Sequence, residues 1–261
     1  MSYRIVVFYA AGAGRAPEQV QPMLRLIELL YQSAIRHDRD IALSVLTDRE
    51  TEFTQLKVPA SVERFDVNPA GLMLARTQAQ AGFVADYAFE KPLIFLDLDI
   101  LVNRSLAFLF DRNFDIGLTW RRKREMQING GVILANNRNP TKVRDFFEAL
   151  RAIYQTRYGH LSKWWGDQRA LNELVTLPSL NARPQALSIN GIDFLILPGN
   201  EFNFSPHYLW ITLALPRSRK YILHFKSSRR KRFIGPYFDL HFDTQAGTRL
   251  SRLLKAYRSI A

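Results

Sequence analysis

Pro92-Leu-Ile-Phe-Leu-Asp97-Leu-Asp99-Ile-Leu-Val102 decides how this chain is read, because a run of apolar β-formers stops at two carboxylates one residue apart. Leu93 to Leu96 contains no polar residue, the composition of a strand covered on both faces in the middle of a parallel sheet. Extended backbone alternates its side chains, so Asp97 and Asp99 fall on the same side of the chain at the strand's carboxyl end. Open α/β sheets take their ligands at that end. Two carboxylates this close repel unless a cation neutralises them. Hard Mg²⁺ or Mn²⁺ accepts oxygen ligands from one or two carboxylates together with a phosphate. The residues alone leave two readings open: a metal site, or a loop entrance with two solvated aspartates, one of them capping the next helix.

Upstream, Tyr3 to Tyr9 reads as a first core strand that turns through Gly12 and Gly14, and Pro17 suits the first turn of a helix. Leu24, Ile27, Leu30, Tyr31, Ala34 and Ile35 then recur with helical spacing. Ile41 to Thr47 is a second strand ending at Asp48, Val62 to Val67 a short third, and Pro69 opens a helix carrying Arg76. Gly12-Ala-Gly14 lacks the third glycine of a dinucleotide fingerprint, so it is weak evidence for a phosphate loop. The first hundred residues thus read β-α-β-β-α-β, a nucleotide-binding kind of half-domain.

Downstream, Ser105 is placed to cap a short apolar helix, Asp115 to Trp120 is a strand, and Arg121 to Arg124 reads as an acceptor-side or surface loop. Paired glycines enter the strand Ile128-Asn129-Gly130-Gly131 to Ala135, which implies close backbone approach to a ligand or another segment. Pro140 starts a long amphipathic helix, and Asp167 is a natural cap for the next one. Trp164 and Trp165 suit either the core or a platform for a sugar face. Strands follow at Gln185 to Ile189, Phe194 to Leu197 and Lys220 to Phe225, the last carrying His224.

With 261 residues, 47% of them hydrophobic and 23% charged, the chain is globular and large enough for a substantial core. The absence of cysteine excludes disulfides, thiolate zinc sites and cysteine nucleophiles. A net charge of +12 points to an anionic partner: membrane surface, nucleic acid or acidic polymer. Basic clusters lie at Arg217 to Lys220 and Arg229 to Arg232, and Leu250 to Ile260 has the pattern of an amphipathic helix with a basic side. No apolar run approaches the roughly 20 residues that cross a bilayer. The first strand only faintly imitates a signal peptide, so a cytoplasmic protein is expected, with peripheral contact to the inner face of an anionic membrane.

Six pieces in order resemble the GT-A fold nucleotide-diphospho-sugar transferases, the group that includes glycogenin and the bacterial lipopolysaccharide galactosyltransferases. They are Thr47-Asp48, Arg76, Phe95-Leu-Asp97-Leu-Asp99, Asn129-Gly-Gly-Val132, Trp165-Gly-Asp167-Gln168 to Asn172, and His224-Phe-Lys226. The resemblance implies an α/β fold with one central mixed sheet and a single domain over 1–261. Residues 1–103 would form the nucleotide-binding half, and 104–261 the acceptor-binding half with a basic C-terminal segment. It implies Mn²⁺ or Mg²⁺ held by Asp99 and His224, with Asp97 reaching the ribose or the metal shell. It further implies a UDP- or GDP-sugar donor contacted by Asp48, Arg76 and Asn129, with Gly130 leaving room for the sugar ring. Asp167 and Gln168 would lie beside the anomeric carbon. The resemblance alone implies retention, and because Gln is a poor nucleophile, front-side attack by the acceptor is the expected route if the chain shares it.

The pattern departs from the family after His224. Where relatives carry a glycine three residues on and a lysine six on, this chain has Ser227 and Arg230. Arg230, helped by Lys226 or Arg229, is expected to serve the diphosphate. The acidic residue that reads the base is replaced by Tyr9 and Ala10, which leaves UDP against GDP open. The implied partner is a glycan or glycolipid acceptor in bacterial surface polysaccharide synthesis. Two alternatives compete: a haloacid-dehalogenase-type phosphohydrolase with Asp97 as nucleophile, and a basic nucleic-acid binder that would leave the aspartates without a purpose.

Overall fold

The computed structural model describes residues 2–123, 126–177, 183–207 and 219–242. The amphipathic stretch from Leu250 to Ile260, with Arg124 and Arg217, lies outside them.

The first half follows the expected order. Strand β1 (Tyr3–Phe8) leads to helix α1 (Pro17–Ile35), which has Pro17 at its first turn, and then to β2 (Ile41–Thr47). The third strand is shorter than expected, β3 (Ser61–Arg64), and Pro69 opens a single 3-10 turn before α2 (Leu72–Asp86). The acidic strand β4 (Leu93–Leu96) is completely buried. Ile94 and Leu96 join the cluster that holds α1, whereas Leu93 and Phe95 face α2 and α3 (Pro140–Arg157), with Phe95 tilted on Phe147 at a centroid distance of 4.8 Å. Each face of the strand is therefore covered by helix, which is why its apolar run is continuous rather than alternating.

The rest of the sheet comes from β6 (Ile116–Trp120), β7 (Ile128–Ala135), β8 (Gln185–Ile189) and β9 (Ile192–Pro198). Together the eight strands lie in the order β3-β2-β1-β4-β7-β6-β9-β8. The expectation that β4 sits inside a parallel sheet is half right: it is parallel to β1 and antiparallel to β7. The sheet is mixed, and β4 is its seam. Strands β8 and β9 form a hairpin across Asn190 and Gly191, whose φ values of 51° and 76° match the two-residue turn that Asn-Gly favours.

After Asp99 the chain leaves the main sheet. Among the described residues, strand β5 (Ile100–Val102) pairs only with β10 (Ile222–His224), antiparallel, in a separate two-stranded ribbon. No helix among the described residues is long and apolar enough to cross a membrane.

Candidate active site

Two pairings bring the acidic strand end and the late histidine together. The ribbon register sets His224 opposite Ile100, and the Phe225 N–H donates to the Asp99 carbonyl at 2.7 Å. His224 Nε2 then lies 3.0 Å from Asp99 Oδ1 and 3.5 Å from Asp97 Oδ2. One ligand atom from each of the three residues lies within 4.8 Å of the others.

The opposite side of the imidazole fixes what Nε2 can do. Asn203 lies on the segment that runs beside β10, where the His224 N–H donates to the Phe204 carbonyl at 2.8 Å. The Asn203 amide donates to Asn129 Oδ1 and to Thr119 Oγ1, each at 2.8 Å, so its own Oδ1 faces His224 Nδ1, also at 2.8 Å. An amide oxygen accepts, so Nδ1 carries the proton. Nε2 thus points a lone pair at two carboxylates. Three electron-rich atoms converging in this way make a group that could hold a metal ion. Bonds of about 2 Å to a six-coordinate ion put neighbouring ligand atoms roughly 3 Å apart, which the His224–Asp99 spacing fits. Burial works to raise the Asp99 carboxyl, but His224, in the state in which Nε2 also carries a proton, together with Lys231 outweighs it and holds the group below the usual carboxylate range.

The paired glycines make the space. Pairing of β7 with β6 jumps from Leu118↔Ile133 to Thr119↔Asn129, leaving 130–132 out of register with β6. A Cβ on Gly131 would lie 2.5 Å from Asp97 Oδ2 and 2.7 Å from His224 Cε1. One on Gly130 would lie 2.7 Å from Asp167 Oδ2. Gly130 therefore leaves room for a carboxylate of the protein, and Gly131, which carried no expected role, is the residue against the metal-type cluster. Asn129 itself is buried, its Oδ1 also accepting from the Gly131 N–H at 3.2 Å.

Arg76 reaches the cluster from α2. One of its amino groups pairs with Asp97 and the other with Asp167 at 2.6 Å. The guanidinium is thus a buried strut between two carboxylates. Asp167 does not cap its helix, α4 (Gly166–Leu174): Trp165 holds the cap position, and Asp167 points inward to Arg76. Burial pushes the Asp167 carboxyl upward, opposed by Arg76. Gln168 Oε1 accepts from Arg121 at 2.5 Å, which brings Arg121 into the cleft, in keeping with the acceptor-side alternative rather than the surface one.

Other expected residues divide. Lys226 lines the same cleft, with burial and then Arg121 pushing its ammonium down to about 8. Arg230 does not: it turns away to donate to Ser205 Oγ at 2.6 Å. Lys231 takes the cleft position instead, its Nζ 3.4 Å from Asp99 Oδ2. The cause is Ser227, whose φ of 87° and ψ of 151° turn the chain into a one-turn helix, Ser228–Lys231. Asp48 also stands apart. Its oxygens accept from the backbones of Gly12, Glu50 and Thr51 and from the Thr51 hydroxyl, so it locks a turn beneath β1. The cleft measures about 810 Å³ and opens where β1 and β4 end, at the point where strand order departs in two directions from the first strand.

Solved structures of sugar transferases share this architecture. The glycosyltransferase GlyE of Streptococcus pneumoniae matches 99% of the chain with a TM-score of 0.57 at 17% identity. The galactosyltransferase LgtC, crystallised with donor and acceptor sugar analogues, matches 98% of the chain and 95% of its own length with a TM-score of 0.53 at 16% identity. The fold is GT-A. The GT-A bifunctional glycosyltransferase WbbM is a further structural neighbour, at a TM-score of 0.53 and 12% identity. Among curated proteins, the glycosyltransferase GlyD of Streptococcus pneumoniae serotype 4 is 24% identical over 173 residues, 58% of this chain. The chain spans 21% of GlyD and 60% of the GlyE chain. No family model matches. The GT-A architecture sets aside the phosphohydrolase alternative, which needs its aspartates on the first strand, whereas here they follow the fourth.

Proposed function

We propose that the chain is a metal-dependent glycosyltransferase, moving a sugar from a UDP- or GDP-sugar to a glycan or glycolipid acceptor in bacterial surface polysaccharide synthesis, with retention. The observation that carries this is the convergence of Asp97, Asp99 and His224 in the cleft, next to the Arg76–Asp167 strut and Gln168. The donor set is two carboxylates, hard ligands that suit Mn²⁺ or Mg²⁺, and one imidazole with a free lone pair, a borderline ligand that favours Mn²⁺ of the two. When bound there, such an ion supplies Lewis-acid stabilisation of the charge that grows on the leaving diphosphate.

The protein's own residues do the rest. Lys226 and Lys231 face the place of the diphosphate and attract it. Arg76 is a positioning residue, holding Asp97 for the ion and Asp167 beneath the sugar site. The acceptor hydroxyl oxygen bonds to the anomeric carbon as the bond from that carbon to the diphosphate oxygen breaks. The electron pair leaves with the nucleoside diphosphate, and the hydroxyl proton passes to the departing phosphate oxygen. Arg121 engages Gln168 Oε1, the atom that a back-side nucleophile would use, which supports front-side attack. Asp48 has no part in donor binding here, because its oxygens are committed to the turn.

The test is thermal unfolding with UDP and GDP, with and without Mn²⁺, repeated on Asp99→Ala. A ligand at 100 times its dissociation constant stabilises a fold by about 2.7 kcal/mol. A shift that needs both nucleotide and metal and disappears in the variant is the expected result. No shift with either nucleotide sinks the proposal.

A further inference from the structure

Three large hydrophobic side chains are exposed among the described residues: Leu72, Trp164 and Trp165, at 38%, 71% and 55%. All three edge the same cleft. Trp165 is also held in left-handed backbone, φ 68°, a conformation that costs a non-glycine residue about 1–3 kcal/mol. The next residue is packed tightly, since a Cβ on Gly166 would lie 2.1 Å from the Tyr154 ring. A strained and exposed tryptophan is poorly explained by stability. Its flat face suits the apolar side of a sugar.

The charges beside it are one-sided. Lys123 Nζ sits 5.7 Å over the Trp165 ring, and Arg121 lies two residues before it. Neither forms an ion pair with a carboxylate among the described residues, and nor does the half-buried Lys226, whereas Arg76 and Lys231 do. Contacts step outward with rising exposure, from the Asp97–Arg76–Asp167 strut through Gln168–Arg121 to Lys123–Trp165 at the mouth. The cleft as a whole has five cationic side chains, Arg76, Arg121, Lys123, Lys226 and Lys231, against three carboxylates. A divalent ion and the two charges of a sugar-nucleotide diphosphate cancel each other. Two positive charges therefore remain when the donor site is full; of the three cations without a carboxylate partner, Lys226 faces the diphosphate, which leaves Arg121 and Lys123 on the mouth side.

The geometry points to an acceptor sugar that carries an anionic group, its ring on Trp165 and its carboxylate or phosphate between Lys123 and Arg121. This deepens the glycosyltransferase proposal and rests on it. A uronic acid stands for the class. Its charge lies a few ångströms from the ring, as Lys123 lies from Trp165.

The test titrates enzyme loaded with UDP and Mn²⁺ with methyl glucuronide and methyl galacturonide, against the methyl glucoside and galactoside, by calorimetry. The uronides should bind about tenfold tighter than their neutral counterparts, the effect of one charge-assisted contact. Lys123→Met, which keeps the stem over Trp165, should remove most of that preference, and so should 0.5 M salt. Equal binding of charged and neutral sugars, no measurable uronide binding, or a preference that survives Lys123→Met each overturns the inference. A parallel arm compares UDP-glucuronate with UDP-glucose; a preference appearing there instead assigns the charge to the donor and overturns the acceptor assignment. The UDP and Mn²⁺ shift measured on the same samples separates the two failures. Without it the glycosyltransferase proposal falls, and with it but no uronide preference only this inference does.

Discussion

Gly131→Ala tests the site at its tightest point. Gly131 does not sit in left-handed backbone, so alanine fits the main chain and only the added methyl matters. That methyl would meet Asp97 Oδ2 at 2.5 Å, His224 Cε1 at 2.7 Å and Asn129 Oδ1 at 3.0 Å. Relieved contacts lie near 3.5 Å, so the neighbours must retreat by about 1 Å. Neither can do so freely: Asp97 is tied to Arg76, and the buried His224 ring is held by Asn203 and by its strand. Metal ligands tolerate roughly 0.2 Å, so a displacement of this size should weaken Mn²⁺ binding by at least about 100-fold, or about 2.7 kcal/mol. Overpacking should also cost the fold about 1–3 kcal/mol. Gly117→Ala supplies the control, because its Cβ would press on Leu134 at 2.9 Å, in the sheet and away from the cleft. The assay is thermal unfolding of both variants with UDP, with and without Mn²⁺. Both should lose intrinsic stability, and only Gly131→Ala should lose the metal-dependent shift. A wild-type shift in Gly131→Ala would refute the claim that these three groups share one ion.

Asn203→Ala should leave His224 free to turn or change tautomer, weakening Mn²⁺ about 10–100-fold in the UDP complex, as measured by titration calorimetry; an unchanged affinity would show that Asn203 does not set the ligand. Asp48 is held below the ordinary carboxylate range because, although burial opposes it, the Gly12 and Thr51 donors favour its charged form. Its contribution is therefore present above the unfolded value near pH 3.9 and is lost as pH falls through the lower folded value. Asp48→Asn should cost about 1–3 kcal/mol at pH 7 in urea unfolding, with the difference from wild type shrinking in acid; a gap independent of pH would contradict this. Ser227→Gly relieves backbone strain of about 1–3 kcal/mol against an entropic cost of about 0.5–1, so its urea midpoint should rise, and a fall would show that Ser227 is not strained.

What could be read from residues alone was whatever depends on local pattern. The apolar run before Asp97, the span Ile41–Thr47 and the span Ile128–Ala135 each carry their own strand signal, and the structure has those strands. The gathering of Asp97, Asp99 and His224 was legible only through a resemblance, since the ribbon register that joins them spans more than a hundred residues. Side-chain partners at such separation leave no local trace. Asp167 looks like a helix cap because capping is decided within four residues, yet its partner Arg76 is 91 positions away. Asn203 was missed for the same reason: Phe202-Asn203-Phe204 reads as an aromatic segment, and nothing nearby announces Thr119, Asn129 and His224 as its partners. Arg230 and Lys231 exchange places because one left-handed residue, Ser227, rotates the basic run, and backbone rotation is invisible in a list of charges.

The small ribbon of β5 and β10 has a consequence for the order in which the molecule becomes competent. All eight strands of the main sheet are complete by Pro198, but His224 arrives only with β10. A nascent chain can therefore lay down the whole sheet, with both aspartates in place, and still own no ion site. Under the proposed function, capture of the ion becomes a late checkpoint on biosynthesis. It reports not that the domain has collapsed but that one short, late pairing has found its register.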